Sequence, residues 1–365
     1  MREKTLYFYC LEYGDSSTLL GVTQDWVKDL QSRGMNVVVI TTHVKGSVSV
    51  KPSKLVETGG GSFRTRMRAC FRLMQTLTAI VRTKDAVVFY HMHHYALAFQ
   101  GLALSAMGTH QTLWYSHAQR DPLLRFANLF ADLILTTSSN AYPLKNRKII
   151  SVGQAVSRQR FIEHQVMPSK PSIHQDTILT LGRVSRAKKI EKLLHSIEKS
   201  HSTRRIYLDI VGPISDFNYM KEIEEAGNDL GISLSFHKEI FYSEISNLFS
   251  KYRFYFTGTD KAIDKSAAEA AMRGLIIITD NKDLLMRLGL EEYYKNKRVN
   301  YSELGLQINH LLSLTTDQIA IISKFVSRNA SNKLSIENAV ELYLRALTCE
   351  KSDFSSKLGL IEKGD

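Results

Sequence analysis

The sequence predicts an α/β protein made of two successive halves, each a parallel sheet flanked by helices. Apolar runs of strand length alternate with stretches of helical periodicity along nearly the whole chain. Strand, helix and strand follow one another in the first about 40 residues, a βαβ unit that implies parallel pairing. The periodicity lapses across residues 153–176, where Pro168 and Pro171 appear, and a linker there separates the halves.

The first half opens with a strand over residues 5–11. Turn formers lead from it to a helix that starts at Gly21, buries Val22, Trp26, Val27 and Leu30, and stops before Gly34. Residues 37–42 are apolar enough for a strand buried on both faces. Residues 45–62, rich in Gly, Ser and Lys, read as a loop. A helix over 63–82 aligns Phe63, Met67, Cys70, Met74, Leu77 and Val81 in one apolar stripe, while Arg64, Arg68 and Arg72 recur every four residues. A strand over 86–90, a helix over 96–107, a strand over 111–115 running into Ser116 and His117, a helix over 123–130 and strands over 133–137 and 148–152 complete this half. Between the first two lie His91, His93 and His94. They have no acidic or cysteine neighbour and no ligand spacing, so they read as loop residues.

The second half begins with a strand over 178–181, ended by Gly182, and a helix whose Ile190, Leu193, Leu194 and Ile197 share one face. A strand over 205–211 ends at Gly212. Helices over 217–230, 245–252 and 266–274 alternate with strands over 234–237, 254–257 and 275–279. Helices over 284–288, 302–314 and 317–329 follow. An amphipathic helix over 336–347 precedes a polar tail. The domains are therefore 1–160 and 161–335, with 336–365 a helix and tail positioned to pack back on the first domain. In such sheets ligands sit beyond the carboxyl ends of the strands, and with two domains the natural place is the cleft between them.

The chain has 365 residues, 44% apolar and 23% charged, an ordinary globular mixture. No apolar run has the length of a membrane span, and the one near the N-terminus is too short for a signal peptide. Cys10, Cys70 and Cys349 are odd in number and far apart, which argues against a disulfide framework and a zinc site and points to the cytoplasm. The net charge of +12 is concentrated in the first half: residues 1–160 hold 20 Lys+Arg against 9 Asp+Glu, the remainder 28 against 27. That excess suits a phosphorylated substrate, or an anionic membrane surface met through Phe63–Arg82. Nucleic acid is disfavoured, since no nucleic-acid motif accompanies the charge.

Three places carry chemistry. Gly182 closes a strand, and Arg183, Arg186, Lys188 and Lys189 precede a helix; cations and a helix start together can hold a phosphate. In the stretch from Thr257 to Thr279, Asp264 or Ser266 can cap a helix whose first turns carry Glu269, and a carboxylate there can accept a hydrogen bond from a ribose hydroxyl. His117 stands at the carboxyl end of its strand.

Together these residues resemble the retaining family 4 glycosyltransferases, of the two-domain GT-B fold. Their Gly-Arg-Leu, three residues, Lys-Gly pattern is similar to Gly182-Arg183-Val184 followed by Lys188-Lys189. Their Ile-Val-Gly strand end resembles Ile210-Val211-Gly212, and their Glu-Ala-Met-Ala-x-Gly motif resembles Glu269 to Gly274. In the first half, Gly21 resembles the glycine-rich first loop, Trp114-Tyr115-Ser116-His117 the strand ending in histidine, and residues 151–156 the end of the first domain. The resemblance spans roughly residues 5–347. It implies two Rossmann-like domains facing each other across a cleft, and metal-independent transfer of a hexosyl group from a nucleotide sugar to a glycan or lipid-linked acceptor, with retention. Such transfer serves cell-surface polysaccharide or glycoconjugate synthesis, in the cytoplasm or on the inner face of the membrane.

By the same resemblance Arg183 and Lys188 hold the donor diphosphate, Glu269 contacts the ribose, and His117 lies near the sugar and the acceptor. Gly21, Gly182, Asp260, Lys261 and Ser266 complete the donor-binding set, with no cofactor beyond the nucleotide sugar. One departure stands out. The family's first motif glutamate falls on Lys261, with Asp260 adjacent. A catalytically silent GT-B-like subunit and a nucleotide-sugar epimerase are the alternatives.

Overall fold

The computed structural model describes residues 4–16, 22–59, 63–117, 120–146, 148–162, 176–200 and 205–348. Gly21, Cys349, the tail from Lys351 and most of the expected linker, Pro168 and Pro171 included, lie outside them, as do the side chains of Phe63 and Arg64. The chain divides into two compact units, Met1–Ala155 with Ile336–Asp365, and Val156–Ser335. Each has its own parallel sheet.

In the first unit seven strands are ordered β3-β2-β1-β4-β5-β6-β7. They are β1 (Thr5–Tyr13), β2 (Asn36–Val44), β3 (Lys54–Glu57), β4 (Ala86–His91), β5 (His110–Trp114), β6 (Leu133–Thr136) and β7 (Ile149–Ser151). The helices between them are α1 (Thr23–Ser32), α2 (Phe63–Arg82), α3 (His94–Ala106) and α4 (Pro122–Phe130). Strand alternation sorts β1 cleanly: Leu6, Phe8 and Cys10 enter one core with α1, and Tyr7 and Tyr9 enter the other, beneath α2, α3 and α4. Two buried tyrosine hydroxyls find partners within the unit, Tyr9 with Thr76 at 3.1 Å and Tyr90 with Gln111 at 3.3 Å.

In the second unit five strands are ordered β10-β9-β8-β11-β12. They are β8 (Thr177–Leu181), β9 (Tyr207–Val211), β10 (Ser233–His237), β11 (Phe254–Phe256) and β12 (Ile276–Ile278). The helices are α5 (Arg158–Ile162), α6 (Ile190–Lys199), α7 (Phe217–Asp229), α8 (Ile245–Phe249), α9 (Lys265–Arg273), α10 (Lys282–Leu288), α11 (Leu290–Asn296), α12 (Leu304–Ser313) and α13 (Thr316–Lys333). All five residues of β8 are buried, as a central strand covered on both faces requires. A last helix, α14 (Ile336–Thr348), belongs to the first unit, where its Ile336, Ala339, Val340 and Tyr343 share a core with α1 and β1. Arg33 reaches it through Glu341 at 2.5 Å.

Several elements differ from the sequence reading. β3 lies inside the expected 45–62 loop; it is a short edge strand with charged, exposed ends, so its alternation is faint. α2 packs through Leu73, Thr76, Leu77 and Ile80, while Met67, Cys70, Met74 and Val81 of the expected stripe are exposed or nearly so. Of the expected loop histidines only His93 lies in a connection: His91 ends β4 and stacks on Trp114, and His94 opens α3. Among the described residues no helix is long and apolar enough to cross a membrane.

Candidate functional site

The strand order of the second unit reverses between β8 and β11: the chain builds β8, β9 and β10 outward, then returns to add β11 and β12 on the other side. Such a reversal opens a crevice at the carboxyl edge of the sheet, because the loops after the two central strands leave in opposite directions. Of the residues singled out in the sequence, Lys188 after β8 and Asp264 and Ser266 after β11 meet there.

Both glycines at the strand ends are required by backbone geometry. Gly182 has φ +130° and Gly212 φ +142°. A Cβ on Gly212 would stand 2.2 Å from the Gly182 carbonyl oxygen, and one on Gly182 would stand 2.7 Å from Lys188 Cε. The space a side chain would take beside Gly182 is therefore filled by Lys188 folding back over the strand end.

Lys188 Nζ donates to the Leu181 carbonyl at 3.0 Å and to Asp264 Oδ2 at 2.7 Å. Asp264 is the residue before α9, yet its carboxylate does not cap that helix as the sequence suggested. It is held instead by Lys188, by Thr257 at 3.3 Å and by Ser266 at 3.1 Å. Burial works to raise the Asp264 pKa, but the Lys188 charge and these hydrogen bonds outweigh it, and the carboxyl titrates below its ordinary range. Ser266 Oγ also lies 3.1 Å from the Leu181 carbonyl and 2.7 Å from the Tyr255 hydroxyl. Lys188, Asp264, Ser266 and Tyr255 thus form one connected cluster, of which the sequence reading had named two as ligands and one as a cap.

Around this cluster the other cations take different roles. Arg183 is exposed beside Gly182 and makes no hydrogen bond or ion pair among the described residues. Arg186 is spent on the surface, with Glu222 at 2.5 Å and Asp216 at 3.9 Å, and does not join the crevice. Lys189 adopts a left-handed backbone, φ 50° and ψ 44°, and pairs with Asp260 at 2.8 Å. Asp260 is accordingly held below the usual carboxylate range by the Lys189 hydrogen bond. Lys261 is exposed next to it. The start of α6 is less open than expected, because the Ile190 N–H donates to the Tyr219 hydroxyl at 2.7 Å.

Glu269 lies on α9, where Ala267, Ala268, Ala270 and Ala271 are all buried and let the helix sit close to the sheet. The side chain is 2% exposed. Its Oε1 accepts from Tyr242 at 2.8 Å and lies 3.6 Å from Lys265 Nζ. Burial lifts its pKa above the ordinary carboxylate value. Two cations cover the Tyr242 ring, Lys265 at 4.4 Å and Arg160 at 5.0 Å. Sequence reasoning missed Tyr242, Lys265 and Arg160. Only the four-residue spacing of Lys265 and Glu269 gave a signal for any of them.

His117 belongs to the first unit, three residues past the end of β5, and is exposed. The order of that sheet reverses between β1 and β4. Beyond β4 lies His93, 3.4 Å from Thr42 and accepting from the Ala96 N–H at 3.3 Å. Burial pushes its pKa down to about 4, so its imidazole is neutral at neutral pH.

No protein-family model matches the sequence, and no curated protein matches it significantly. Solved structures do. A glycosyltransferase from Rickettsia africae ESF-5 superposes with a TM-score of 0.68 at 15% identity, over 96% of this chain and 100% of that one. Anabaena Alr3699/HepE in complex with UDP and glucose gives a TM-score of 0.66 at 13% identity, over 95% and 100%. The apo form of WaaB, a lipopolysaccharide outer core galactosyltransferase, gives 0.65 at 13% identity, over 94% and 99%. The chain consists of two Rossmann-like domains and shares the GT-B fold of these glycosyltransferases.

Proposed function

We propose that the chain is a glycosyltransferase that takes a hexosyl group from a nucleotide-sugar donor and passes it, with retention and without a metal ion, to a glycan or lipid-linked acceptor. The observation that carries this reading is Lys188 held across the end of β8, with exposed Arg183 beside it, at the reversal point of the second sheet. Anabaena Alr3699/HepE, similar in fold, has been solved with UDP and with UDP-glucose.

In this reading the donor diphosphate lies against Lys188 and Arg183. When the bond from the sugar to the diphosphate breaks, negative charge grows on the leaving oxygens, and the two cations, Lys188 fixed by Asp264 and Arg183 exposed beside it, stabilise it more than they stabilise the intact donor. Gly182 lets the phosphates approach the strand end. Ser266 and Asp264 fix the Lys188 ammonium, and Glu269 accepts from a ribose hydroxyl after exchanging part of its Tyr242 contact. Lys261 and Asp260 line the donor's approach. Gly21 contributes to donor binding and His117 lies near the sugar and the acceptor, both in the first unit. The reaction belongs to cytoplasmic synthesis of a surface polysaccharide or glycoconjugate.

A second reading, a non-catalytic subunit of the same fold, draws on Lys261. It stands where the family has an acid, and neighbouring Asp260 is engaged by Lys189. A thermal-shift screen against UDP-, GDP- and ADP-sugars, followed by a product assay with the best binder, separates the two. A bound nucleotide sugar raises the melting temperature by mass action, and transfer or hydrolysis of that sugar supports the enzyme. Binding without turnover, or no binding at all, supports the subunit.

A further inference from the structure

Helices α2, α3 and α4 lie side by side on one face of the first unit's sheet. α3 is tied to α2 by Gln100, whose Nε2 donates to the Leu73 carbonyl at 2.6 Å, and to α4 where a Cβ on Gly101 would stand 2.7 Å from Phe130 Cβ. Their inward residues share one core with the sheet. Their outward faces are also apolar: Met67 is 59% and Phe71 65% exposed on α2, Phe99 50% and Leu102 64% on α3, Phe126 45% and Leu129 65% on α4. α3 contains no Asp, Glu, Lys or Arg. A helix apolar all round belongs in a core or in hydrocarbon, and isolated exposed apolar residues are ordinary while a contiguous layer of them is not.

The charge around this layer is mainly positive, with Asp121 standing at the start of α4 beside Tyr95. The three helices carry no Asp or Glu, and between Glu57 and Asp121 the sequence has a single acid, Asp85. Arginine supplies the cations of the layer, Arg68 and Arg72 on α2 and Arg125 on α4 among them. A second copy docked face to face would set these arginines against their own counterparts, which an isologous contact penalises. The guanidinium fork matches phosphate as well as carboxylate oxygens, and a headgroup layer presents phosphates at high density beside an apolar phase. We propose that the outward face of α2, α3 and α4 docks on an anionic lipid bilayer. The aromatic and aliphatic side chains enter the acyl boundary and the arginines sit among the headgroup phosphates. The inference rests on the first unit alone and stands or falls independently of donor binding in the second.

The test is co-sedimentation of the full chain with vesicles of phosphatidylcholine, and of phosphatidylcholine mixed with phosphatidylglycerol. Wild type should bind the anionic vesicles and release them as salt is raised. Binding should fall about tenfold or more in Arg68→Gln with Arg125→Gln, and likewise in Phe99→Ser with Leu102→Asp. All four positions are exposed, so both variants should melt with wild type. Failure of wild type to bind any vesicle, or binding indifferent to both variants, overturns the proposal. So does a solution dimer that Leu102→Asp dissociates while vesicles are ignored, which would assign the face to a second copy.

Discussion

Lys188→Met keeps most of the side chain's length and removes its charge. In the native crevice the ammonium is 2.7 Å from Asp264, and the two side chains are only 19% and 15% exposed. The variant therefore strands a carboxylate in a largely dehydrated place. Removing one partner of a buried ion pair costs about 3–5 kcal/mol. The pH dependence has a definite sign. Asp264 titrates below its ordinary range in the native protein, so the pair's contribution is complete above the unfolded carboxylate's pKa, about 4, and is lost as pH falls through the depressed native value. The gap between wild type and variant should therefore narrow in acid. Adding Asp264→Asn removes the stranded charge and should bring stability back to within about 1 kcal/mol of wild type, since a neutral, well-packed replacement of a buried pair is often harmless. Nucleotide-sugar binding should stay lost. Urea midpoints and calorimetric titration read the two effects separately. If Lys188→Met alone unfolds at the wild-type urea concentration, the pair does not contribute as its geometry requires. If the double variant binds donor as wild type does, Lys188 is not the diphosphate ligand.

The buried Glu269 gives a prediction of opposite sign. Its folded pKa is raised by burial, so the ionised form weakens the fold as pH rises through that range, and Glu269→Gln should be at least as stable as wild type at pH 8 while losing about tenfold or more in turnover. A variant that loses stability and keeps turnover would make Glu269 a packing residue. The two strand-end glycines should also differ. Gly182→Ala meets the flexible end of Lys188 and should weaken donor binding with a strain cost of about 1–2 kcal/mol, read by titration and urea unfolding. Gly212→Ala meets a backbone oxygen at 2.2 Å and should cost about 3 kcal/mol or more. The reverse order would contradict the geometry.

The alternation of strands and helices was legible in the sequence because strands buried on both faces are rich in apolar residues, β12 throughout and β8 but for its two threonines. The edge strand β3 was not, since only two of its four residues are even partly buried. The apolar stripe of α2 was misplaced for a related reason: the helix has apolar residues on two sides, and periodicity alone does not say which side meets the sheet. In the crevice, Gly182, Arg183 and Lys188 announced themselves by proximity to a strand end. Asp264 binds a lysine 76 positions away, and that depends on β11 returning beside β8, a non-local pairing that no local pattern encodes. Tyr242 lies in the 3-10 turn before α8, where nothing nearby in sequence points to Glu269.

The central claim is that the crevice between β8 and β11 holds a nucleotide-sugar diphosphate against Arg183 and Lys188. Its most direct measurement is calorimetric titration of UDP-, GDP- and ADP-sugars into wild type, Arg183→Ala and the stability-restored Lys188→Met, Asp264→Asn variant. At least one donor should bind wild type, and each variant should bind it about tenfold or more weakly, the loss of one charge-assisted contact. Binding of equal strength in all three proteins, or of no nucleotide sugar to wild type, would contradict the claim.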